Sequence, residues 1–393
     1  MHSIQSNRIN YISIENIYFL LSKALIHMPF FSIYLSQKGI SEKDIILFFS
    51  IYPISILILE IPAGLVSDFF GNLKSLRLGK FITLIATAIF IYFDNIFSLF
   101  LCQILWALGD SMISGSDQSF FYRRCKDKKI NYEQFSKTSS SFVWMGICIS
   151  FAASYLFSSL NIEYVFYCFL FISLVSFIIT IIINDNCISE NKEKNKSIAS
   201  VFGSIANNMK SKNLSLFIII SSLTISFLSS VYLLIQPLME EINISGDKNG
   251  IYYFIATLFA FIAPKLSFIY NKFNLKSNIS FIMFNMLVSV CIFIISFSGS
   301  VFYFILSFSL FRFMWGLAYP IINININDMV KDEDSRATVF SFYSMSCNLI
   351  QFLIIFLVSI KDADVSNSIF IISVFLFIIN ILLILLIKTF KLI

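Results

Sequence analysis

Four polar side chains stand deep inside apolar runs of this 393-residue chain: Lys23, Asp110, Gln236 and Arg312. An ionisable group at the centre of a membrane span costs about 2.5–3.5 kcal/mol on insertion scales, so each one needs a partner or a task. Lys23 lies nine residues into one run and Asp110 ten residues before the end of another. With the two runs entering from the same side, these are depths of about 13 and 15 Å at the helical rise, level enough to pair. A carboxylate so placed can bind and release a proton, because its charge state depends on the cation it faces. Two readings stand. Asp110 is a proton-coupling or cation-sensing carboxylate with Lys23 and Arg312 as alternative partners, or Lys23 and Asp110 form a static ion pair that holds one half of the chain together. Gln236, beside Pro237, marks a polar, kinked point in a third run.

A second constellation is the charged turn Glu60-Ile-Pro-Ala-Gly-Leu-Val-Ser-Asp-Phe-Phe-Gly-Asn-Leu-Lys74 between two apolar runs. Gly71 permits a tight exit from the preceding helix. Asp68 is suited to accept hydrogen bonds from the start of a helix near Ser335 and Arg336, where a carboxylate is typically worth about 0.3–1 kcal/mol. Such a contact would latch two halves of the molecule together and break when that side opens. The plainer alternative is that Asp68 caps a short loop.

The elements that must carry these residues follow from composition. Hydrophobic residues make up 58% and charged residues 13% of the chain, with a mean hydropathy of +0.83. A soluble domain carries about 25% charged residues. Apolar runs of spanning length recur from end to end without the period-two alternation of a membrane barrel, so the chain is predicted to be an all-α polytopic membrane protein. We place spans at 14–36, 43–65, 75–93, 96–120, 138–158, 162–183, 214–239, 250–270, 278–297, 300–325, 336–359 and 368–388. These give a six-helix bundle over 1–183, a linker over 184–213 and a second six-helix bundle over 214–393. Within the linker, Ile198, Val201, Phe202, Ile205 and Met209 fall at helical spacing; an amphipathic surface helix and a flexible tether both fit.

Lys and Arg concentrate in the segments after the even-numbered spans, among them Lys74, Arg77, Arg123, Arg124, Lys126, Lys128 and Lys129. By the positive-inside rule both termini are expected in the cytoplasm, in a plasma (bacterial inner) membrane. The net charge of +5 then reflects topology and gives no reason to expect nucleic acid. The seven cysteines form no CxxC pair and the two histidines no ligand pattern, so neither a metal nor a cofactor is expected. No small-residue cleavage site follows the polar N-terminus. HExxH, GxSxG and P-loop signatures are lacking, which argues against an enzyme and against a nucleotide-driven pump.

Six plus six spans, a linker and the charged turn together resemble the major facilitator superfamily along the whole chain. Gly64, Asp68, Gly71 and Lys74 match its signature loop G-x-x-x-D-[RK]-x-G-x-[RK]-[RK], although Phe69 replaces a basic residue. Glu60-Ile-Pro-Ala-Gly, Ser114-Gly-Ser-Asp-Gln-Ser-Phe-Phe-Tyr122 and Ser335-Arg-Ala-Thr-Val-Phe-Ser341 resemble segments of bacterial drug-exporter-like members. The fifth span has only Gly146 and no proline, so it departs from the Gly/Pro-rich motif of many proton antiporters in the family. The resemblance implies two bundles around a central cavity lined by the first, fourth, seventh and tenth helices. Lys23 and Asp110 would then face each other, with Arg312 and Gln236 across the cavity. It implies a cytoplasmic gate of Gly64, Asp68, Gly71, Lys74, Asp117 and Arg336, in which Asp117 neutralises Arg336 or a basic loop residue.

The function this suggests is proton-coupled, alternating-access efflux of a small amphipathic compound (a drug, an antibiotic or a self-made toxin) by a monomer in the lipid bilayer. Uptake of a sugar, nucleoside or peptide with protons is the runner-up, and a transporter-derived membrane sensor is a further alternative. Of the remaining polar residues, Glu15 is expected to be solvated and Glu60 to stabilise the gate. Glu240 and Glu241 are expected at a wet rim.

Overall fold

The computed structural model describes residues 14–114, 116–183, 211–244, 246–266, 278–330, 336–361 and 364–389. The expected linker helix falls almost wholly outside them. Among the described residues the chain is helical throughout and contains no strand. The first half comprises α1 (Ile14–Ser22), a 3₁₀ turn (Met28–Phe30), α2 (Phe31–Gln37), α3 (Glu42–Phe70), α4 (Asn72–Tyr92), α5 (Ile96–Ile113), α6 (Ser116–Asp127), α7 (Tyr132–Ser158) and α8 (Ile162–Ile182). The second comprises α9 (Lys212–Glu241), a 3₁₀ turn (Gly246–Lys248), α10 (Asn249–Ile262), a 3₁₀ turn (Ala263–Leu266), α11 (Asn278–Ser296), α12 (Val301–Met329), α13 (Arg336–Ile360) and α14 (Val365–Thr389).

Ten of the described helices are long and apolar enough to cross a membrane. Among the described residues, two of the twelve expected spans fall short of that length. The expected first span is split into α1 and α2, and the expected eighth is a 14-residue helix that passes into a 3₁₀ turn at Pro264. The expected fourth span also ends early. α5 stops at Ile113, Ser114 turns extended, and α6 begins afresh at Ser116.

Helix ends are fixed by side chains chosen for the purpose. Ser41, Asn95, Asn161 and Ser300 each accept a hydrogen bond from a first-turn N–H of α3, α5, α8 and α12, satisfying donors that have no helical partner. The opposite ends use cations. Lys38 Nζ donates to the Ile91 and Phe93 carbonyls at 3.1 Å each at the end of α4. Arg77 donates to the Thr180 and Ile183 carbonyls at 3.0 and 2.9 Å at the end of α8. Gly71 makes the whole turn from α3 into α4 with φ +89° and ψ 150°, a region from which a Cβ is sterically discouraged.

Within the first half α4 packs on α5 and α8, α3 on α5, and α1 on α7; within the second α10 packs on α12, α11 on α14, and α9 on α13. The halves meet along α3 with α13 and α7 with α10, while α2 touches α9 and the first 3₁₀ turn touches α10. Exposed Leu, Ile and Phe, such as Leu156, Phe171, Leu287 and Leu357, cover the outside, as expected of surfaces that face lipid.

Candidate functional site

The first span breaks at Lys23, and the break explains most of the site. Residues 23–27 are not helical. Pro29 provides the cause: it has no N–H to give to a helix, and its ring would collide with the carbonyl four residues earlier. Non-helical backbone at membrane depth persists only where protein supplies the lost hydrogen bonds. Here three other helices supply them. Lys80 Nζ of α4 donates to the Ser22 carbonyl at 3.4 Å. Asn249 Nδ2, at the start of α10, donates to the Pro29 carbonyl at 3.0 Å. The Ser32 N–H donates to Gln236 Oε1 of α9 at 2.6 Å. On the other face α7 comes so close that a Cβ on Gly146 would lie 1.9 Å from the Leu20 carbonyl oxygen. The lone glycine of the fifth span is therefore a contact with the broken helix.

Lys23 occupies the first position of this break. It is an exposed residue. Asp110 is the charge that acts on it most strongly, followed by Asp117 and, from α12, Tyr319. The two groups are nevertheless not in contact: no Lys23–Asp110 pair within 4.0 Å occurs among the described residues. Asp110 Oδ2 instead accepts a hydrogen bond from Tyr52 Oη of α3 at 2.6 Å. Lys80, only 8% exposed, senses both Asp110 and Lys23, and its ammonium lies 5.7 Å from the centre of the Tyr18 ring. Two carboxylates (Asp110 and Asp117), two amines and the tyrosines Tyr18 and Tyr52 thus form a single electrostatic neighbourhood beside the break.

Sequence reasoning missed Lys80 and Tyr52. Lys80 sits eight residues inside α4, so its depth was a readable signal of the same kind as Lys23. Tyr52 carried no signal, because its role comes from a contact 58 residues away. His27, which makes no ligand pattern, stacks on Phe169 with ring centres 3.8 Å apart and lies in the wall of the break. No cluster of His, Cys, Asp or Glu that could hold a metal ion occurs among the described residues.

Arg312 meets other partners. It is 5% exposed and lies within the second half, away from any pairing with Asp110. Its guanidinium carbon is 4.9 Å from the Tyr232 ring centre and 5.4 Å from that of Trp315. Nη2 donates to Thr257 Oγ1 at 3.3 Å, while Nε has no acceptor. Gln236 is 3% exposed and accepts from the Ser32 N–H of α2.

The expected gate is described in part. The side chains of Asp68 and Arg336 lie outside the described set, and Gly64 and Lys74 are exposed. Around the turn, the Ser67 and Ser116 hydroxyls meet at 2.7 Å and Ser75 Oγ donates to the Met112 carbonyl at 3.0 Å. One described contact joins the two halves here: Ser344 Oγ of α13 donates to Glu60 Oε2 at 3.0 Å. Asp117 is half-buried, and its field reaches Lys23 and Lys80. Glu15, expected in water, is held by Arg124 at 2.9 Å and Lys128 at 3.5 Å. Glu241 accepts from the Ser366 N–H at 3.1 Å and so caps α14, while Glu240 is exposed as expected of a rim.

Residues 17–355 match the family model described as Major Facilitator Superfamily. The chain belongs to this superfamily. A curated relative, an uncharacterized MFS-type transporter YxaM of Bacillus subtilis (strain 168), is 26% identical over 252 residues, 63% of each chain. The similarity thus spans less than two thirds of that relative's length. Among solved structures, the nucleoside transporter NupG is similar with a TM-score of 0.73 at 14% identity, covering 95% of this chain and 97% of that one. A POT family transporter in complex with a thioalcohol-conjugated peptide gives 0.74 at 15% identity with 96% of each chain covered. A D-xylose–proton symporter gives 0.71 at 11%, covering 94% and 95%. At these identities the likeness establishes the fold. The chain is accordingly a multi-pass membrane protein of this superfamily.

Proposed function

We propose that this superfamily member is a proton-coupled, alternating-access exporter of a small amphipathic compound, with Asp110 as the proton-binding group. The observation that carries the reading is the geometry at the break: Asp110 held by Tyr52 at 2.6 Å, beside but not bonded to Lys23. A permanent ion pair would leave neither group available. A carboxylate held by a neutral donor, with a cation nearby, can change its charge and thereby its pull on the broken helix. Protonating Asp110 removes the negative charge that faces Lys23 and Lys80, so the two amines would gain from moving apart. Lys80 and Gln236 hold opposite sides of the break; such motion would pass to α4 on one side and α9 on the other.

The charge distribution supports termini in the cytoplasm of a plasma membrane, which puts Glu60–Ser344 on the cytoplasmic part of the molecule and Ser32–Gln236 nearer the outside. The direction of transport rests on the Glu60, Ser114 and Arg336 segments, which resemble exporter-like members. The cargoes of the similar solved transporters do not transfer at 11–15% identity. The test is a resistance profile in a host lacking its own exporters, read with and without a proton uncoupler. Resistance that collapses with the uncoupler is the expected result. Heightened sensitivity to a toxic sugar, nucleoside or peptide analogue would instead establish uptake.

A further inference from the structure

The Arg312 cage holds more donors than acceptors among the described residues. Arg312 offers five N–H groups, always charged, and the only hydrogen bond it makes among the described residues is the one to Thr257. Its Nε is buried without a partner, and so are Tyr232 Oη and Gln236 Nε2. Gln236 is oriented by its own bond: Oε1 must face the Ser32 N–H, so the amide nitrogen points elsewhere as a donor. Tyr232 and Gln236 are four residues apart on α9 and share a face. The Tyr232 ring is the one on which Arg312 stacks, at right angles to Trp315 with ring centres 5.4 Å apart, and Tyr253 closes against it at 5.7 Å.

Stacking on aromatic faces stabilises a guanidinium but does not neutralise it. A buried cation without a carboxylate is costly, and chains retain such groups in membranes where they meet a charged cargo or a moving partner. The missing component is a planar acceptor with two oxygens, which a guanidinium fork binds bidentately. We propose that this cage is an anion subsite that takes the carboxylate of an organic acid with an aromatic body, its ring lying against Tyr232, Tyr253 and Trp315. This deepens the transport reading by naming the cargo class, and it rests on that reading in treating the interior as the cargo path.

The test is binding to the purified full-length protein in detergent, with no proton gradient, so its outcome is independent of the direction and energy source of transport. Thermal unfolding and intrinsic tryptophan fluorescence are followed with benzoate, with its uncharged isostere benzamide, and with chloride as the balancing anion at constant ionic strength. Benzoate is expected to raise the unfolding temperature and to bind at least about tenfold tighter than benzamide, the value of one charge-assisted hydrogen bond. Arg312→Met is expected to unfold no earlier than the parent in the absence of ligand, because a buried unpaired charge is gone, and to lose the preference for benzoate. Arg312→Lys, which keeps the charge but loses the fork, is expected to show a reduced preference. Equal responses of the parent to benzoate, benzamide and chloride would overturn the proposal without recourse to any variant. So would an undiminished benzoate preference in Arg312→Met.

Discussion

At the scale of single residues, the account depends on which polar atoms are matched. Asp110 has a neutral donor at 2.6 Å in Tyr52 and a cation nearby in Lys23 that it does not touch. Tyr52→Phe removes a hydrogen bond to a charged group, typically about 1.5–3 kcal/mol. We expect it to move the midpoint of the pH–transport profile while leaving the protein folded; an unchanged profile would show that Tyr52 does not tune Asp110. Lys38 does a quieter job, donating to two terminal carbonyls of α4 and pairing with Asp94. Lys38→Ala is expected to cost about 1–2 kcal/mol of stability, read as a lower unfolding temperature, without altering substrate preference. The charged residues of the site were legible in the sequence because depth in an apolar run is itself a signal, as with Lys23, Asp110 and Arg312. Their partners were not. Tyr52, Thr257 and Tyr232 are ordinary residues in such a chain and gain their roles from contacts between helices distant in sequence.

At the scale of elements, apolar length identified most spans, and capping residues agree with the helix starts. The break in the first span was hidden by averaging: residues 14–36 are apolar enough as a window, and Pro29 was one of six prolines in or beside spans. Only the neighbours Lys80, Asn249 and Gln236, which supply the lost hydrogen bonds, reveal that the proline divides the helix there. Two glycines test this level. Gly146→Ala would drive a methyl into the Leu20 carbonyl, and overpacking of this kind costs about 1–3 kcal/mol. The matched control Gly299→Ala meets nothing within 4 Å, so it should leave the unfolding temperature unchanged. Gly71→Ala forces a Cβ into a turn at φ +89° and should destabilise by about 1–2 kcal/mol. Equal unfolding temperatures for Gly146→Ala and Gly299→Ala would contradict the close approach of α7 to the break.

At the scale of the whole molecule, polar contacts among the described residues join the halves at two levels, Glu60–Ser344 toward one end and Ser32–Gln236 with Asn249–Pro29 toward the other. If the halves rock about the site, the first contact must part during each cycle. Replacing Glu60 and Ser344 by cysteines and joining them with a short bifunctional thiol reagent should stop transport, and transport should return when a cleavable reagent is cut. Undiminished transport in the cross-linked protein would rule out separation of α3 and α13 at that level. The superfamily was legible because apolar runs of spanning length recur along the chain and the turn at Gly71 resembles the family's signature loop. The Arg312 cage was less legible, since it draws on three helices of the second half and no short motif encodes it. The most direct test of the central claim uses membrane vesicles carrying a compound found in the resistance profile, with an imposed pH gradient. The account predicts gradient-driven movement by the native protein and its loss in Asp110→Asn. Full pH-gradient-driven transport by Asp110→Asn would contradict it.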